Sequence, residues 1–207
     1  MSISERRERD RLNIRNKILD VARDLFAAEG YDAVTMRRIA KVIEYSPTTI
    51  YLHFKDKEAL IQELCRVDSL SLAQAFHSVA TEPSPLERLR QIALAYVAFG
   101  IQHPNHYRLM FMSKRLTDQT QLKEMGHGNP ETDGYILLLH TFIDAIEQQL
   151  LAPPLTDANL LAQAYWAGVH GVVAIYITRY GDPWIEWRDI QETANLIINS
   201  LIKGLKR

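Results

Sequence analysis

The chain has 207 residues, and its 47% hydrophobic and 24% charged content, with nine glycines and eight prolines, excludes collagenous, low-complexity and disordered proteins. The 24 basic and 25 acidic side chains give a formal net charge of −1, so any nucleic-acid binding must come from local charge. The single cysteine, Cys65, cannot form an internal disulfide, and neither the N-terminal segment nor the interrupted apolar stretches predict a secretory signal or a membrane span. We therefore expect a soluble, cytoplasmic protein.

The first 56 residues predict three helices. Apolar residues at helical spacing indicate a first helix that ends near Glu29, just before a glycine suited to a left-handed C-cap. Thr35 can cap a short second helix, and Ser46 with Pro47 can start a third that ends near residue 51. Two short helices joined by so few residues are typical of a helix-turn-helix.

Two longer helices are predicted next. Asp56 can cap a helix over 57–80, whose apolar positions follow the 3.6-residue period of an amphipathic helix. Ser84, Pro85 and Glu87 have the pattern of a capping box with proline at the first helical position. The first of these helices carries the chain from the N-terminal module into the body.

The rest of the chain also predicts helices. Pro104 ends one helix and begins a shorter one, and residues 126–134 form the most loop-like segment, where we expect local mobility. Later helices are expected at 135–150, at 158–179 after a cap by Thr156 and Asp157, and, beyond a break at 181–183, at 185–205. The predicted fold is all-α with about nine helices, divided into an N-terminal helix-turn-helix module (1–56) and a helical body (57–207).

The segment from residue 30 to residue 60 resembles the DNA-binding segment of TetR-family transcriptional regulators. The resemblance rests on residues at the family spacing: Phe26, Gly30, Thr35, Ile39, Ala40, Ser46, Thr49, Ile50, Tyr51, Phe54, Lys57, Glu58 and Leu60. It implies an all-helical body that binds a ligand and forms a dimer. Two positions depart from the family pattern, since Glu44 and Thr48 stand where glycine is usual. Glu44 puts the turn geometry in doubt, because a non-glycine residue with positive φ is strained.

Candidate DNA-binding residues follow from this segment. Between residues 33 and 57 there are five basic and two acidic side chains, which suits a module that meets phosphate. Short polar side chains near the start of the third helix let it approach base edges, and the resemblance adds phosphate contacts from neighbouring residues. The set comprises Thr35, Arg37, Arg38, Ser46, Pro47, Thr48, Thr49, Tyr51, His53, Lys55 and Lys57. The alternative for Tyr51 and His53 is that they only pack or face solvent.

The N-terminal segment is rich in arginine. Its basic residues could form an arm that reaches the minor groove, but acidic residues alternate with them. Glu5 with Arg9 and Arg6 with Asp10 are four residues apart, the spacing of ordinary ion pairs on a helix surface. We favour the helix-surface interpretation, with phosphate steering as the remaining role.

The body contains many aromatic and histidine residues on helices that the resemblance places around an effector pocket. The candidate ligand-binding residues are Tyr96, Phe99, Met110, Phe111, Tyr135, His140, Trp166 and His170. An apolar cavity with a few polar groups suits a small, largely hydrophobic effector. His103 and His106 lack the accompanying ligands of a metal site, so we expect no metal and no cofactor. Cys65 is expected to be a small core residue and not a thiol sensor.

The last two helices of each subunit form the dimer interface according to the resemblance. Small residues on the penultimate helix would let another helix approach closely: Ala164, Ala167, Gly168, Gly171 and Ala174. Larger candidates for the interface or its rim are Trp166, Val172, Ile175, Ile197, Leu201 and Ile202. Packing of the same helices within one chain is the alternative.

The sequence thus predicts a homodimeric transcriptional regulator that binds a pseudo-palindromic operator and is released by a small effector. We favour a repressor over an activator. A second hypothesis is a regulator that acts through protein contacts while its DNA module no longer reads sequence. A third is an all-helical enzyme, which the absence of nucleotide-binding, nucleophile-elbow and zinc-protease motifs disfavours.

Overall fold

A computed structural model describes residues 2–76, 78–112, 128–129 and 132–207. The described residues form nine α-helices: α1 (Ile3–Glu29), α2 (Met36–Ile43), α3 (Pro47–Tyr51), α4 (Lys57–Phe76), α5 (Pro85–Gln102), α6 (Pro104–Tyr107), α7 (Gly134–Glu147), α8 (Ala158–Arg179) and α9 (Ile190–Leu205). A π-helical turn (Arg108–Met112) follows α6 directly. The predicted all-α class is confirmed.

Packing divides the chain into two compact units. The head unit comprises the described residues within 1–68 and 105–119, and the body unit those within 69–104 and 120–207. Helix α4 contributes its first part to the head unit and its last part to the body unit. The functional boundary expected between residues 56 and 57 stays a prediction.

The head unit has its own core. Apolar side chains from α1 to α4 pack together with one residue of the π-helical turn, and Cys65 is half-buried beside them. The most buried members are Ile18, Ala22, Val34, Ile39, Ile50, Leu60 and Leu64. This core fixes α2 and α3 against α1, because neither short helix would be stable alone.

The body unit is built around α8, which packs against α5, α7 and α9. Phe142 and Tyr165 contact each other edge to face, with ring centroids 5.8 Å apart, and the Tyr165 hydroxyl donates to the Leu89 carbonyl at 3.0 Å. Burial raises the pKa of Tyr165, so its proton stays on this buried hydrogen bond. Helix α5 buries six apolar residues in this core: Leu89, Ile92, Ala93, Tyr96, Val97 and Phe99.

Three helix ends differ from the predictions. Helix α4 ends at Phe76 and not at residue 80, because the amides of Val79 and Ala80 both turn back onto the Phe76 carbonyl. Helix α7 ends at Glu147, three residues before the predicted end, in a turn where Gln149 has a positive φ of 54°. Helix α9 begins at Ile190 and not at 185, because Asp189 caps the amides of the following residues.

The capping box predicted at the start of α5 is wrong. Pro85 does occupy the first turn, but the Ser84 side chain makes no capping hydrogen bond. The Ser84 amide donates to the Glu82 carboxylate at 2.9 Å, and the Glu87 carboxylate pairs with Arg90 at 3.0 Å. The Ser84 amide and the Glu87 carboxylate, which would bond each other in a capping box, therefore have other partners.

No membrane span is predicted from the sequence. One described helix, α8, is nevertheless long and apolar enough to cross a membrane by length and composition. Core helices of soluble proteins pass the same test, and a third of its most apolar window is buried. Most of the loop predicted at 126–134 lies outside the described residues; 128–129, 132 and 133 are in turns or irregular backbone, and α7 begins at Gly134.

Candidate nucleic-acid interface

Helices α2 and α3 present polar side chains outward and apolar ones inward. Ile39, Ile43 and Ile50 are fully buried, and Phe54 closes the core behind α3. Three of the eleven candidate DNA-binding residues are half-buried, namely Thr49, His53 and Lys57. The other eight are exposed: Thr35, Arg37, Arg38, Ser46, Pro47, Thr48, Tyr51 and Lys55. The surface around α3 is thus open to a partner.

Side-chain caps hold both short helices in place. The Thr35 hydroxyl accepts from the Arg38 amide at 3.1 Å, as the sequence predicts. The Ser46 hydroxyl accepts from the Thr49 amide at 3.2 Å, and the two hydroxyl oxygens lie 3.0 Å apart. Because these hydroxyls already satisfy local groups, Thr48 at the second position of α3 is the short side chain best placed to approach a base.

The turn between α2 and α3 contains a left-handed backbone conformation that glycine usually adopts, here at Glu44. Glu44 has φ 62° and ψ 37°, in the left-handed region. The Tyr45 amide donates to the Ala40 carbonyl at 3.0 Å and the Glu44 amide to the Lys41 carbonyl at 3.3 Å, which is the Schellman pattern. The turn geometry that Glu44 put in doubt is therefore kept, with strain at that residue.

Lys57 makes contacts that its predicted phosphate role did not include. Its ammonium donates to the carbonyls of Tyr31 at 2.9 Å and Val34 at 3.0 Å, and lies 3.9 Å from the centroid of the Tyr31 ring. Lys57 thus anchors the loop ahead of α2 to the start of α4. The contact spans 23 to 26 residues, so no local sequence signal could have shown it.

Two positive side chains of α1 lie near His53. Burial lowers the pKa of His53, and the charges of Arg11 and Arg15 lower it further. Arg15 also pairs with Glu63 at 2.6 Å and lies over the Phe54 ring at 5.1 Å. His53 is therefore biased toward the neutral form in the free protein.

A buried ion pair joins α1, α4 and α6 inside the head unit. Asp68 is 0% exposed and accepts from the Arg23 guanidinium at 2.8 and 3.1 Å, while Arg23 is 5% exposed. The ring nitrogen Nδ1 of His106 lies 2.9 Å from the same Asp68 oxygen. Asn105 donates to Asp24 on α1 at 2.9 Å. Sequence reasoning missed this cluster, since Arg23 and Asp68 are 45 residues apart along the chain and Asn105 and Asp24 are 81 residues apart.

The body unit brings together four of the predicted ligand-binding residues. Trp166 donates through Nε1 to the Tyr96 hydroxyl oxygen at 3.0 Å, and that hydroxyl lies 3.1 Å from Nδ1 of His170. The Trp166 ring also contacts Tyr135, whose hydroxyl donates to Asn159. Burial lowers the pKa of His170, which favours a neutral ring whose Nδ1 accepts a hydrogen bond from the Tyr96 hydroxyl.

The other predicted ligand-binding residues lie elsewhere. His140 is exposed on α7, whereas Met110 and Phe111 belong to the π-helical turn of the head unit. Phe99 lines an open groove of about 400 Å³ between α4 and α5. The groove is lined by Ser71, Gln74, Ala75, Ala95, Ala98, Phe99, Gln102 and His103.

Comparison with known families gives two matches that together cover most of the chain. Residues 18–64 match bacterial regulatory proteins of the tetR family, and residues 89–201 match the tetracyclin repressor-like C-terminal domain. The transcriptional repressor AcnR of Corynebacterium glutamicum is 28% identical over 159 residues, which are 71% of this chain and 85% of AcnR. The transcriptional regulator QacR of Staphylococcus aureus is 42% identical over 57 residues, which are 28% of this chain and 30% of QacR.

Solved structures share the fold at lower identity. A regulatory protein of the tetR family from Rhodococcus RHA1 superposes with a TM-score of 0.74 at 20% identity, over 93% of this chain and 96% of that one. The ketosteroid transcriptional regulator KstR2 of Mycobacterium tuberculosis has a TM-score of 0.71 at 20% identity, over 93% and 95% of the two chains.

Proposed function

The chain belongs to the TetR family of DNA-binding transcriptional regulators, which are not enzymes, and we propose that it is a homodimeric repressor released from its operator by a small apolar effector. The observation that carries the proposal is the exposed, polar surface of α3, held by a capped turn on a buried core. In helix-turn-helix proteins the second helix reads the major groove in this way. A DNA partner implies a cytoplasmic location.

We assign the reading of bases to Thr48, and contacts with the DNA phosphate backbone to Tyr51 and the nearby basic residues. Thr48 is exposed in the first turn of α3, and its methyl and hydroxyl groups suit a thymine methyl or a base edge. Tyr51 is 52% exposed at the end of the same helix, where its hydroxyl can donate to phosphate. Arg37 on α2 and Lys55 in the loop after α3 add exposed positive charge.

Selection from random-sequence DNA by the purified, ligand-free protein tests this assignment. We expect an inverted repeat whose half-sites are about one helical turn apart. Thr48→Ala is expected to change the preferred base at one position of each half-site, whereas Tyr51→Phe should weaken binding to all sequences alike. Recovery of no common motif by the wild type would contradict operator binding and favour regulation through protein contacts.

Dimerisation through α8 and α9 is supported by an apolar face that the chain itself leaves uncovered. On α8, Leu160 and Ile175 are more than half exposed, and the alanines at 164 and 167 on the same side are exposed too. On α9, Leu196 is 69% exposed. A second copy of the chain would cover these residues and place two α3 helices on one operator.

Sedimentation equilibrium tests the dimer. We expect a dimer for the wild type and a monomer for Ile175→Glu, because burying an unpaired carboxylate in an apolar interface is costly. Leu12→Glu places the same change on an exposed apolar residue of α1 and should leave the dimer intact. A monomeric wild type, or equal mass for both variants, would refute this interface.

The effector is expected at the polar group formed by Tyr96, Trp166 and His170 in the body unit. A ligand that binds better to the conformation unsuited to the operator lowers operator affinity by that difference in affinity. Helix α4 is the continuous element that belongs to both units and can carry the change.

Displacement of labelled operator by a panel of small apolar compounds tests this site. Trp166→Phe should weaken displacement by an active compound, because the indole donor to Tyr96 is lost, and should leave operator affinity unchanged. Trp187→Phe is the matched control, since Trp187 donates to the Asp182 carbonyl in the loop before α9. Equal effects of the two substitutions would contradict the assignment.

A further inference from the structure

We propose that one face of the N-terminal half of α1 binds the phosphate backbone of double-stranded DNA next to the segment read by α3. This basic face consists of Arg6, Arg9, Asn13 and Lys17. The proposal rests on the proposed function, because it adds a contact to the same protein–DNA complex. It assigns a role to the arginine-rich N-terminal segment, which the proposed contacts of α2 and α3 with DNA do not involve.

The N-terminal half of α1 is a helix that extends beyond the core of its own unit. Helix α1 begins at Ile3 with a complete capping box, in which the Glu5 amide donates to the Ser2 hydroxyl and the Ser2 amide to the Glu5 carboxylate. Residues 2–13 are all exposed, whereas burial in the core begins at Ile18. A helical segment whose residues are all exposed is marginally stable in water, so a capped one indicates a surface that meets a partner.

Charge on this segment suits a polyanion. Residues 2–17 include six basic and three acidic side chains. The members of the basic face are spaced three, four and four residues apart, so they lie along one side of the helix. Asp10 lies at the edge of that side, whereas Glu8 lies away from it and pairs with Arg11 at 4.0 Å.

The basic face begins at the turn that leads into α3. The Lys17 ammonium donates to the carbonyl of Ile43, the last residue of α2, at 3.3 Å and lies 5.4 Å from the centroid of the Tyr45 ring. Tyr45 is exposed and directly precedes the Ser46 cap of α3. From Lys17 to Arg6 the helix rises about 16 Å, a length that spans roughly five phosphates of one strand.

The helical form decides which part of DNA is contacted. An α-helix with its side chains is about 10–12 Å wide, and the minor groove of B-DNA is only about 6 Å wide. An extended arginine arm can enter that groove, but a capped helix cannot. The contact is therefore with phosphates outside the bases that α3 reads, and it carries no sequence information.

Salt dependence of operator binding tests the proposal with variants matched in charge. Arg6→Gln with Arg9→Gln removes two charges from the basic face of each subunit. Arg179→Gln with Arg188→Gln removes two charges from exposed arginines of the body unit and is the matched control. Glutamine keeps a high helix propensity, and unchanged far-UV circular dichroism checks that α1 persists. Binding to a selected operator with at least one helical turn of flanking DNA is measured by fluorescence anisotropy between 50 and 200 mM salt.

Loss of four phosphate contacts per dimer should reduce the slope of log Kd against log salt by about 3.6. The rise in Kd between the two salt concentrations then becomes about 150-fold smaller for Arg6→Gln with Arg9→Gln than for the wild type. The control pair, Arg179→Gln with Arg188→Gln, should change the slope by less than about 1. Hydroxyl-radical protection of the flanking sugars should be lost only in the first variant.

An unchanged slope in the first variant, or equal reductions in both, would overturn the proposal while leaving operator binding established. A wild type that selects no operator at all would overturn the proposed function, and this inference with it.

Discussion

Replacing Asp68 by asparagine should destabilise the protein by about 3 kcal/mol. The substitution removes the negative charge that Arg23 meets at 2.8 Å in a site where the carboxylate is fully buried. Burial lowers the pKa of Arg23, but hydrogen bonds and charges from Asp68 and Asp20 outweigh that effect, so the guanidinium stays charged without its main partner. Asp20 compensates little, since its side chain is 73% exposed.

Urea unfolding followed by circular dichroism measures this effect. In urea the transition midpoint should fall while the m-value stays unchanged. In thermal unfolding the same loss of about 3 kcal/mol corresponds to a fall in Tm of about 6–12 °C for a chain of this size. Asp20→Asn removes the same charge from the exposed partner of Arg23 and should cost less than about 1 kcal/mol. If Asp68→Asn were as stable as Asp20→Asn, the buried ion pair would not stabilise the head unit as argued.

Three further substitutions test local features. Glu44→Gly should stabilise the protein by about 0.5–1 kcal/mol in urea unfolding, because relief of left-handed strain exceeds the entropy cost of glycine; destabilisation would contradict the assigned turn. Gly168→Ala should destabilise by about 1–3 kcal/mol, since a Cβ there would lie 2.9 Å from Leu201 Cδ1, whereas Gly204→Ala meets nothing within 4 Å and should be neutral or stabilising. His170 has a lowered pKa in the folded state, so its stabilising effect is complete above the unfolded value of 6.5 and is lost as the pH falls from 6.5 through the lower folded pKa. His170→Gln should therefore reduce the loss of stability between pH 7 and pH 5, and an unchanged pH profile would contradict the burial of a neutral ring.

Features fixed by neighbouring residues were predictable from the sequence. Thr35, Ser46 and Asp157 were each expected to cap a helix, and each accepts a hydrogen bond from an amide two or three residues further on. These caps depend on side chain and backbone within one turn, so tertiary packing changes them little. The helix-turn-helix followed from them together with apolar spacing.

The incorrect cap at Ser84 shows where local patterns fail. The sequence contains a serine followed three residues later by Glu87, but Arg90 offers that carboxylate a charged partner one turn away. An ion pair at this spacing competes with the weaker bond to a backbone amide. Local pattern alone could not decide between the two partners.

Contacts between distant parts of the chain could not be predicted. Lys57 was expected to meet phosphate, and its bonds to the carbonyls of Tyr31 and Val34 depend on how α4 crosses the loop before α2. Arg23 and Asp68 come together only because α1 and α4 share a core. One sequence without three-dimensional packing contains no signal for such pairs.

The candidate effector site was predicted only in part, for the same reason. The family resemblance placed the helices of Tyr96, Trp166 and His170 around one pocket. Tyr96 does meet the other two, which are 70 and 74 residues further along the chain. His140 was included on the same grounds, as a histidine on a helix that the resemblance places around the pocket, and it is exposed. Residue type predicts which side chains can line a pocket, whereas the direction in which each one points depends on helix rotation.

The ratio of two affinities is the most direct test of whether the chain reads a DNA sequence. Kd is measured at one fixed salt concentration near 150 mM for the selected inverted repeat and for a scrambled duplex of the same length and composition. We expect binding to the inverted repeat to be at least about 10³-fold tighter than binding to the scrambled duplex, as for specific DNA-binding proteins in general. Equal affinity for the two duplexes would contradict sequence-specific binding, because the charge of the head unit would then explain all of the binding.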